Sequence, residues 1–302
     1  MFSREEIQRC IIWACESEVL SPKPGNVNSV SDGHNMQVED FIQSAHAIAP
    51  ALTESNNSVG QRILLAVQAT REVVDCNTNL GIVLLFAPLC VAIEQCKHRD
   101  QLRDKLSEVL KALTIDDAKY CFEAIRLAEA GGMGKVQDQD INDTPSVTLL
   151  KAMEQAKDRD SIAAQYLNNY QSIFETGLLN LTFEINSGES VEWATTFAYL
   201  YLLSDSYDTL ICRKQDKQTA RIVSQRAKKF IDRCSKNNVL KSFSAELSDW
   251  DQELKRDAIN PGTTADMTAA TLLVYALTSN EFQRTFMCTE QDVRSLNTYN
   301  LP

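Results

Sequence analysis

The feature that most constrains this chain is the segment Leu80-Gly81-Ile82-Val83-Leu84-Leu85-Phe86-Ala87, which contains no polar side chain. A helix that is apolar all round has no face to offer water, so it belongs in the centre of a bundle with other helices wrapped around it. The flanking sequence supplies such helices. Ser3 and Glu6 have capping-box spacing ahead of the face Ile7, Cys10, Ile11 and Ala14, and Ser58 with Gln61 repeat it ahead of Ile63, Leu64, Val67 and Val74. Helical spacing also predicts helices from Val38 to about Pro50, Gln101 to Leu110, Thr114 to Glu129, Ser146 to Lys157 and Ser161 to Gly177. Further ones carry Trp193, Phe197, Leu200 and Tyr201, span Gln218 to Cys234 and Val239 to Glu253, and follow Asn260 through Met267, Leu272, Leu273 and Ala276. Glycine and proline are sparse, at 10 and 7 of 302 residues, and no repeat or linker is visible. The expectation is an all-α protein, one bundle domain over 1–302 with about ten or more helices.

The formal charge of −11 argues against nonspecific nucleic-acid binding, which needs surplus Lys and Arg. No apolar run approaches the roughly 20 residues that span a bilayer, and the start Met1-Phe2-Ser3-Arg4-Glu5-Glu6 lacks a signal-peptide core, so a cytoplasmic protein without a membrane partner is expected. Nine cysteines are scattered singly with no CxxC pair, which reads as buried thiols rather than as a zinc site or disulfide framework.

Polar clusters recur at the predicted helix boundaries. Ser21-Pro22-Lys23-Pro24-Gly25-Asn26-Val27-Asn28 combines two prolines, a glycine, a cation and two amides. Its stiffness suits a phosphate or sugar site as well as a plain helix connection. Asn77-Thr78-Asn79 stands at the positive end of the apolar helix, where it can cap the helix or help hold an anion. Gly131-Gly132-Met133-Gly134 follows no strand and lacks GxGxxG spacing, which excludes a Rossmann site. The acids after it, Asp138, Asp140 and Asp143, read as solvated loop acids or hard oxygen ligands for Mg²⁺. Lys157-Asp158-Arg159-Asp160 reads as a solvated turn. Asp205 and Asp208 with Arg213 and Lys214 fit either a salt-bridged helix junction or a triphosphate and metal site. Asn260-Pro261-Gly262-Thr263-Thr264-Ala265-Asp266 offers backbone donors at a helix start. Helix ends in a bundle can converge on one cleft.

Taken in order, SPKPGNVN at 21–28, the NT of NTNLG at 77–81, Asp208 with Leu210, the Arg213-Lys214 pair and NPGTTADMTAATLLVY at 260–275 resemble the triphosphoribosyl-dephospho-CoA synthase family. The resemblance implies an all-α enzyme that displaces adenine from ATP and joins the triphosphoribosyl group to a hydroxyl of 3′-dephospho-CoA, making a prosthetic-group precursor for acyl carrier proteins. Transfer at ribose C1 passes through an oxocarbenium-like state. It wants a carboxylate near C1, a base for the attacking hydroxyl, and cations with Mg²⁺ on the phosphates. Asp208 and Asp266 are the catalytic candidates, and Lys23, Arg213 and Lys214 the phosphate partners. Asn26, Asn28, Asn77, Thr78, Asn79, Asn260 and Gly262 are candidates to orient sugar or phosphate, and Asp140 and Asp205 to hold metal. The expected partners are small molecules: ATP or phosphoribosyl diphosphate as donor and a cofactor precursor as acceptor.

Two loops depart from the family pattern. Asn77-Thr78-Asn79-Leu80-Gly81 stands where the synthases typically read NTHKG, and Gly132-Met133-Gly134-Lys135 where they resemble RGEA. The losses imply a different substrate or a lighter phosphate load. NTNLG and GGMGKVQDQDI resemble a branch found in organisms that use tetrahydromethanopterin, whose ribose 5-phosphate is joined through a glycosidic bond, so phosphoribosyl transfer in pterin assembly is an alternative. A helical nucleotide-binding protein without catalysis is the alternative from another class.

Overall fold

The computed structural model describes residues 2–128, 145–237 and 243–287. Within them every regular element is helical, and the only β pairings are the isolated bridges Asn28–Ser31 and Gly33–Met36. Helices α1 (Arg4–Leu20), α2 (Val38–Leu52) and α3 (Val59–Val73) begin the chain, and the capping boxes at Ser3 and Ser58 form as their spacing predicts. Helix α4 (Leu80–Glu94) is buried on nearly every face. Helices α5 (Leu102–Lys111), α6 (Ile115–Leu127, capped by Thr114), α7 (Leu149–Ala156) and α8 (Ser161–Asn168) follow. The remainder comprises α9 (Leu178–Asn186), α10 (Val191–Asp205), α11 (Thr209–Lys214), α12 (Lys217–Asn237), α13 (Ser244–Arg256) and α14 (Gly262–Thr278).

The bundle has two central helices, where the hydropathy pattern marks one. Helix α14 packs against both α1 and α4 and is as enclosed as α4, despite its threonines. Two of their hydroxyls, in the middle of the helix, are satisfied within it: Thr268 Oγ1 donates to Thr264 O at 2.8 Å and Thr271 Oγ1 to Met267 O at 2.9 Å. A smaller core, built on Phe197, Tyr199, Leu200, Phe230 and Trp250, joins α10 to α12 and α13, with Phe230 and Trp250 stacked at 5.2 Å.

The helix expected over Ser161 to Gly177 is broken. Asn169 and Tyr170 take left-handed backbone angles (φ 55° and 58°), and a wide helical turn over Ser172–Gly177 leads into α9. Pro88 supplies the tertiary reason. Lacking an N–H, it leaves the Leu84 carbonyl of buried α4 without its helical donor. Tyr166 Oη donates to Leu84 O at 2.6 Å and Tyr170 Oη to Leu85 O at 3.1 Å, so the break places two buried tyrosines on α4. Every described cysteine is a free thiol. No helix among the described residues is long and apolar enough to cross a membrane.

Candidate active site

The loop after α1 is held from within and from behind. Lys23 is fully buried, its Nζ donating to the carbonyls of Glu18 at 2.5 Å, Val27 at 3.0 Å and Ser21 at 3.3 Å, and lying 3.2 Å from Glu18 Oε1. The cation expected on phosphate is therefore directed into its own loop. Asn28 is also internal: its Oδ1 accepts from Val30 N at 3.0 Å and Ser31 N at 3.2 Å, and its Nδ2 donates to Asn26 O at 3.0 Å. Gly25 has φ 83° and a Cβ there would stand 2.8 Å from Pro261 Cδ, so the position demands glycine. Its N–H donates to Asp251 Oδ1 at 2.8 Å, and Tyr199 Oη donates to Pro24 O at 2.8 Å. Asn26 alone of the loop's polar candidates reaches the cleft, where its Nδ2 donates to Asn260 Oδ1 at 2.9 Å and ties the first motif to the last.

The cleft has a volume of about 590 Å³, within the usual range for small-molecule sites. One wall is apolar, from Leu84 of α4, Phe122 and Ile125 of α6, Leu149 and Met153 of α7 and Ile162 of α8. The other carries Glu18, Asn26, His34, Asn77, Thr78, Arg159, Asp160, Arg213, Lys214, Asn260, Gly262 and Asp266. The N-termini of α4 and α14 both open here, and neither Asn79 nor Pro261 caps its helix with a side chain. Two positive dipole ends favour an anion, although Asn77 and Asp208 each take one first-turn N–H, Leu80 N and Thr264 N. At the α4 end, Asn77 Oδ1 accepts from Leu80 N at 3.1 Å, and Thr78 Oγ1 donates to Ser44 Oγ at 2.7 Å, the Ser44 hydroxyl itself donating to Asp40 O. Asn79 borders the cleft, but its amide group pairs with Thr70 Oγ1 at 3.0 Å.

The two candidate carboxylates have different surroundings. Asp208 is 2% exposed and outside the cleft wall. Its Oδ1 caps α11, accepting from Leu210 N at 2.9 Å and Ile211 N at 3.1 Å, while its Oδ2 accepts from Thr264 N at 2.7 Å and Thr264 Oγ1 at 2.8 Å. It clasps α11 to the start of α14. Burial raises its pKa, against those hydrogen bonds. Asp266 borders the cleft and accepts no hydrogen bond from the described residues. Burial pushes its pKa well above the carboxylate range, the negative charges of Glu18, Asp208 and Asp160 push it further, and Arg213 opposes them.

Arg213 and Lys214 both line the cleft, and Arg213 Nη1 donates to Asp160 Oδ2 at 2.6 Å. Asp160 also caps α8, accepting from Ile162 N at 2.8 Å; the turn is exposed from Lys157 to Arg159, as expected, and also contributes Arg159 and Asp160 to the cleft lining. Asp205 is exposed, accepts from Thr176 Oγ1 at 3.4 Å and is absent from the cleft wall. Asp140, with the Gly131–Gly134 loop, lies outside the described residues. No group of three or more His, Cys, Asp or Glu among the described residues is placed to hold a metal ion, so they do not fit a Mg²⁺ carried by the protein alone.

Glu18 is the site residue that motif reading misses. It is 2% exposed and borders the cleft from the last turn of α1. The signal was its place on the helix: position 18 continues the Ile7, Ile11, Ala14 face, which puts an acid where the core should be. Burial raises its pKa and the Lys23 charge pulls it back.

The family model for ATP:dephospho-CoA triphosphoribosyl transferase matches residues 4–284. The 2-(5″-triphosphoribosyl)-3′-dephosphocoenzyme-A synthase of Haemophilus ducreyi is 22% identical over 281 residues, covering 85% of this chain and 84% of that protein. A Vibrio cholerae protein assigned the same activity is 24% identical over 287 residues, covering 85% and 83%. An Archaeoglobus fulgidus crystal structure, assigned as a triphosphoribosyl-dephospho-CoA synthase, matches the fold with a TM-score of 0.59 at 21% identity, covering 78% of this chain and 98% of that one. The family match runs from the first residue of α1 past the end of α14, and the chain belongs to the ATP:dephospho-CoA triphosphoribosyl transferase family, a family of ribosyl-phosphate transferases.

Proposed function

We propose that the cleft moves the triphosphoribosyl group of ATP to a hydroxyl of 3′-dephospho-CoA, with Asp266 beside the anomeric carbon. The observation that carries this reading is the Asp266 carboxyl, which accepts no hydrogen bond from the described residues, on a cleft wall where two helix N-termini open whose own N-cap residues give no side-chain bond. Arg213, Lys214 and the backbone donors of α4 and α14 are suited to the phosphates. Asn77, Thr78 and the Asn26–Asn260 pair, all in the cleft lining, are this reading's partners for the ribose hydroxyls, and the apolar side chains of Phe122, Ile125 and Met153 suit a flat base. Lys23, Asn28 and Asp208 act at one remove, holding the loop and the α11–α14 junction. Mg²⁺ enters on the donor's phosphates, where it neutralises charge. The test is incubation with ATP, Mg²⁺ and dephospho-CoA: free adenine should appear only when the acceptor is present, and no adenine would overturn the reading.

One observation favours a second donor. With Asn79 paired to Thr70 and Leu80 beside it, the α4 end of the cleft carries neither a histidine nor a lysine from these two positions. That suits a donor of lower charge, phosphoribosyl diphosphate, with a precursor of tetrahydromethanopterin as acceptor. Diphosphate release dependent on a pterin acceptor, without adenine release from ATP, would select it.

A further inference from the structure

Glu18 and Lys23 form a buried ion pair for which holding the loop is an incomplete account. Lys23 is fixed by three backbone carbonyls and would hold the loop without a carboxylate partner. Glu18 nonetheless borders the cleft, with Oε1 buried and accepting no hydrogen bond from the described residues, and with the Lys23 ammonium 3.2 Å from Oε1 to balance its charge. Leaving a carboxylate this dry is costly, and the same energy is recovered if the group meets a hydroxyl in the cleft.

We propose that Glu18 is a catalytic residue, the acceptor for the proton of the attacking hydroxyl, and that Lys23 is its positioning residue. This rests on the transfer reading above. As the acceptor oxygen bonds to the anomeric carbon, its proton passes to Glu18. The C–N bond breaks with its electron pair on the departing base, and a ring nitrogen of that base takes the proton of Asp266. Glu18 ends protonated and Asp266 ionised, and one proton returned from Glu18 to Asp266 through solvent restores both. Burial raises the pKa of both carboxyls, and the neighbouring charges separate them. At Glu18 the Lys23 ammonium opposes the rise. At Asp266 the negative charges of Glu18, Asp208 and Asp160 add to it, against Arg213. His34, Arg159 and Lys214 complete the titratable groups of the described cleft wall, with Cys76 and Cys121 as thiols.

The test uses the full chain with ATP and dephospho-CoA. Glu18→Gln should lower kcat by about 100-fold or more, leave the KM for ATP and the thermal shift on ATP binding within about twofold, and abolish the acid limb of the pH profile. Lys23→Met should keep part of the rate and move that limb to higher pH. Because Glu18→Gln strands a buried ammonium, the uncharged pair Glu18→Gln with Lys23→Met is measured beside it, and it should bind ATP and turn over as slowly as Glu18→Gln. An active wild type with a folded Glu18 variant of unchanged kcat and pH profile overturns the role of Glu18 alone. A wild type that releases no adenine overturns the transfer reading and this assignment with it.

Discussion

The Asp266 carboxyl lies directly over Gly81: a Cβ at position 81 would stand 2.5 Å from Asp266 Cγ. The glycine lets the second turn of α14 reach the first turn of α4, and so brings the catalytic candidate to the end of the buried helix. Gly81→Ala should displace the carboxyl and reduce adenine release at least tenfold, at a stability cost of about 1–3 kcal/mol. Circular dichroism and a steady-state assay on the same preparation check it.

Asp266→Asn should abolish turnover while raising stability at alkaline pH. The folded-state pKa is raised, so the folded chain binds more protons than the unfolded one, and stability falls as pH climbs from the ordinary carboxylate range through the folded value. The amide removes that dependence. Thermal unfolding against pH should show the variant's midpoint equal to wild type in acid and higher in base.

Asp208→Ala should give the opposite pattern. Four acceptor contacts clasp α11 to α14, and their loss leaves Leu210, Ile211 and Thr264 donors unpaired in a buried junction. A loss of about 3 kcal/mol or more is expected in urea unfolding. Turnover, measured on the fraction that stays folded, should fall through a weaker KM for the donor, because Arg213 and Lys214 ride on α11.

Tyr166→Phe should cost about 1–3 kcal/mol by stranding the Leu84 carbonyl that Pro88 leaves without a donor. Restoring that donor in the background, through Pro88→Ala, should shrink the penalty. A double-mutant cycle in thermal unfolding measures the coupling.

Replacing Arg213 and Lys214 together by alanine should raise the KM for the donor about tenfold or more, by removing two cleft cations. Inorganic triphosphate should stabilise the wild type against heat and lose that effect in the variant.

The contrast between the two aspartates marks how far sequence reaches. Both belonged to motifs of equal promise, yet one is saturated by donors and the other faces the cleft. Lys23 and Glu18 reverse in the same way: the residue in the motif is enclosed by carbonyls, and the neglected one borders the site.

What the sequence determined by itself is local. Period and cap chemistry act within a few residues, so the helices, the Ser3 and Ser58 boxes and the buried α4 were legible in it, as was the set of helix ends that could meet. The direction of each polar side chain at those ends was settled only by tertiary structure. Gly25 meets Asp251 across 226 positions and Asp208 meets Thr264 across 56. A buried carboxylate or ammonium goes wherever the folded chain supplies its partners, and no local spacing encodes a partner so distant.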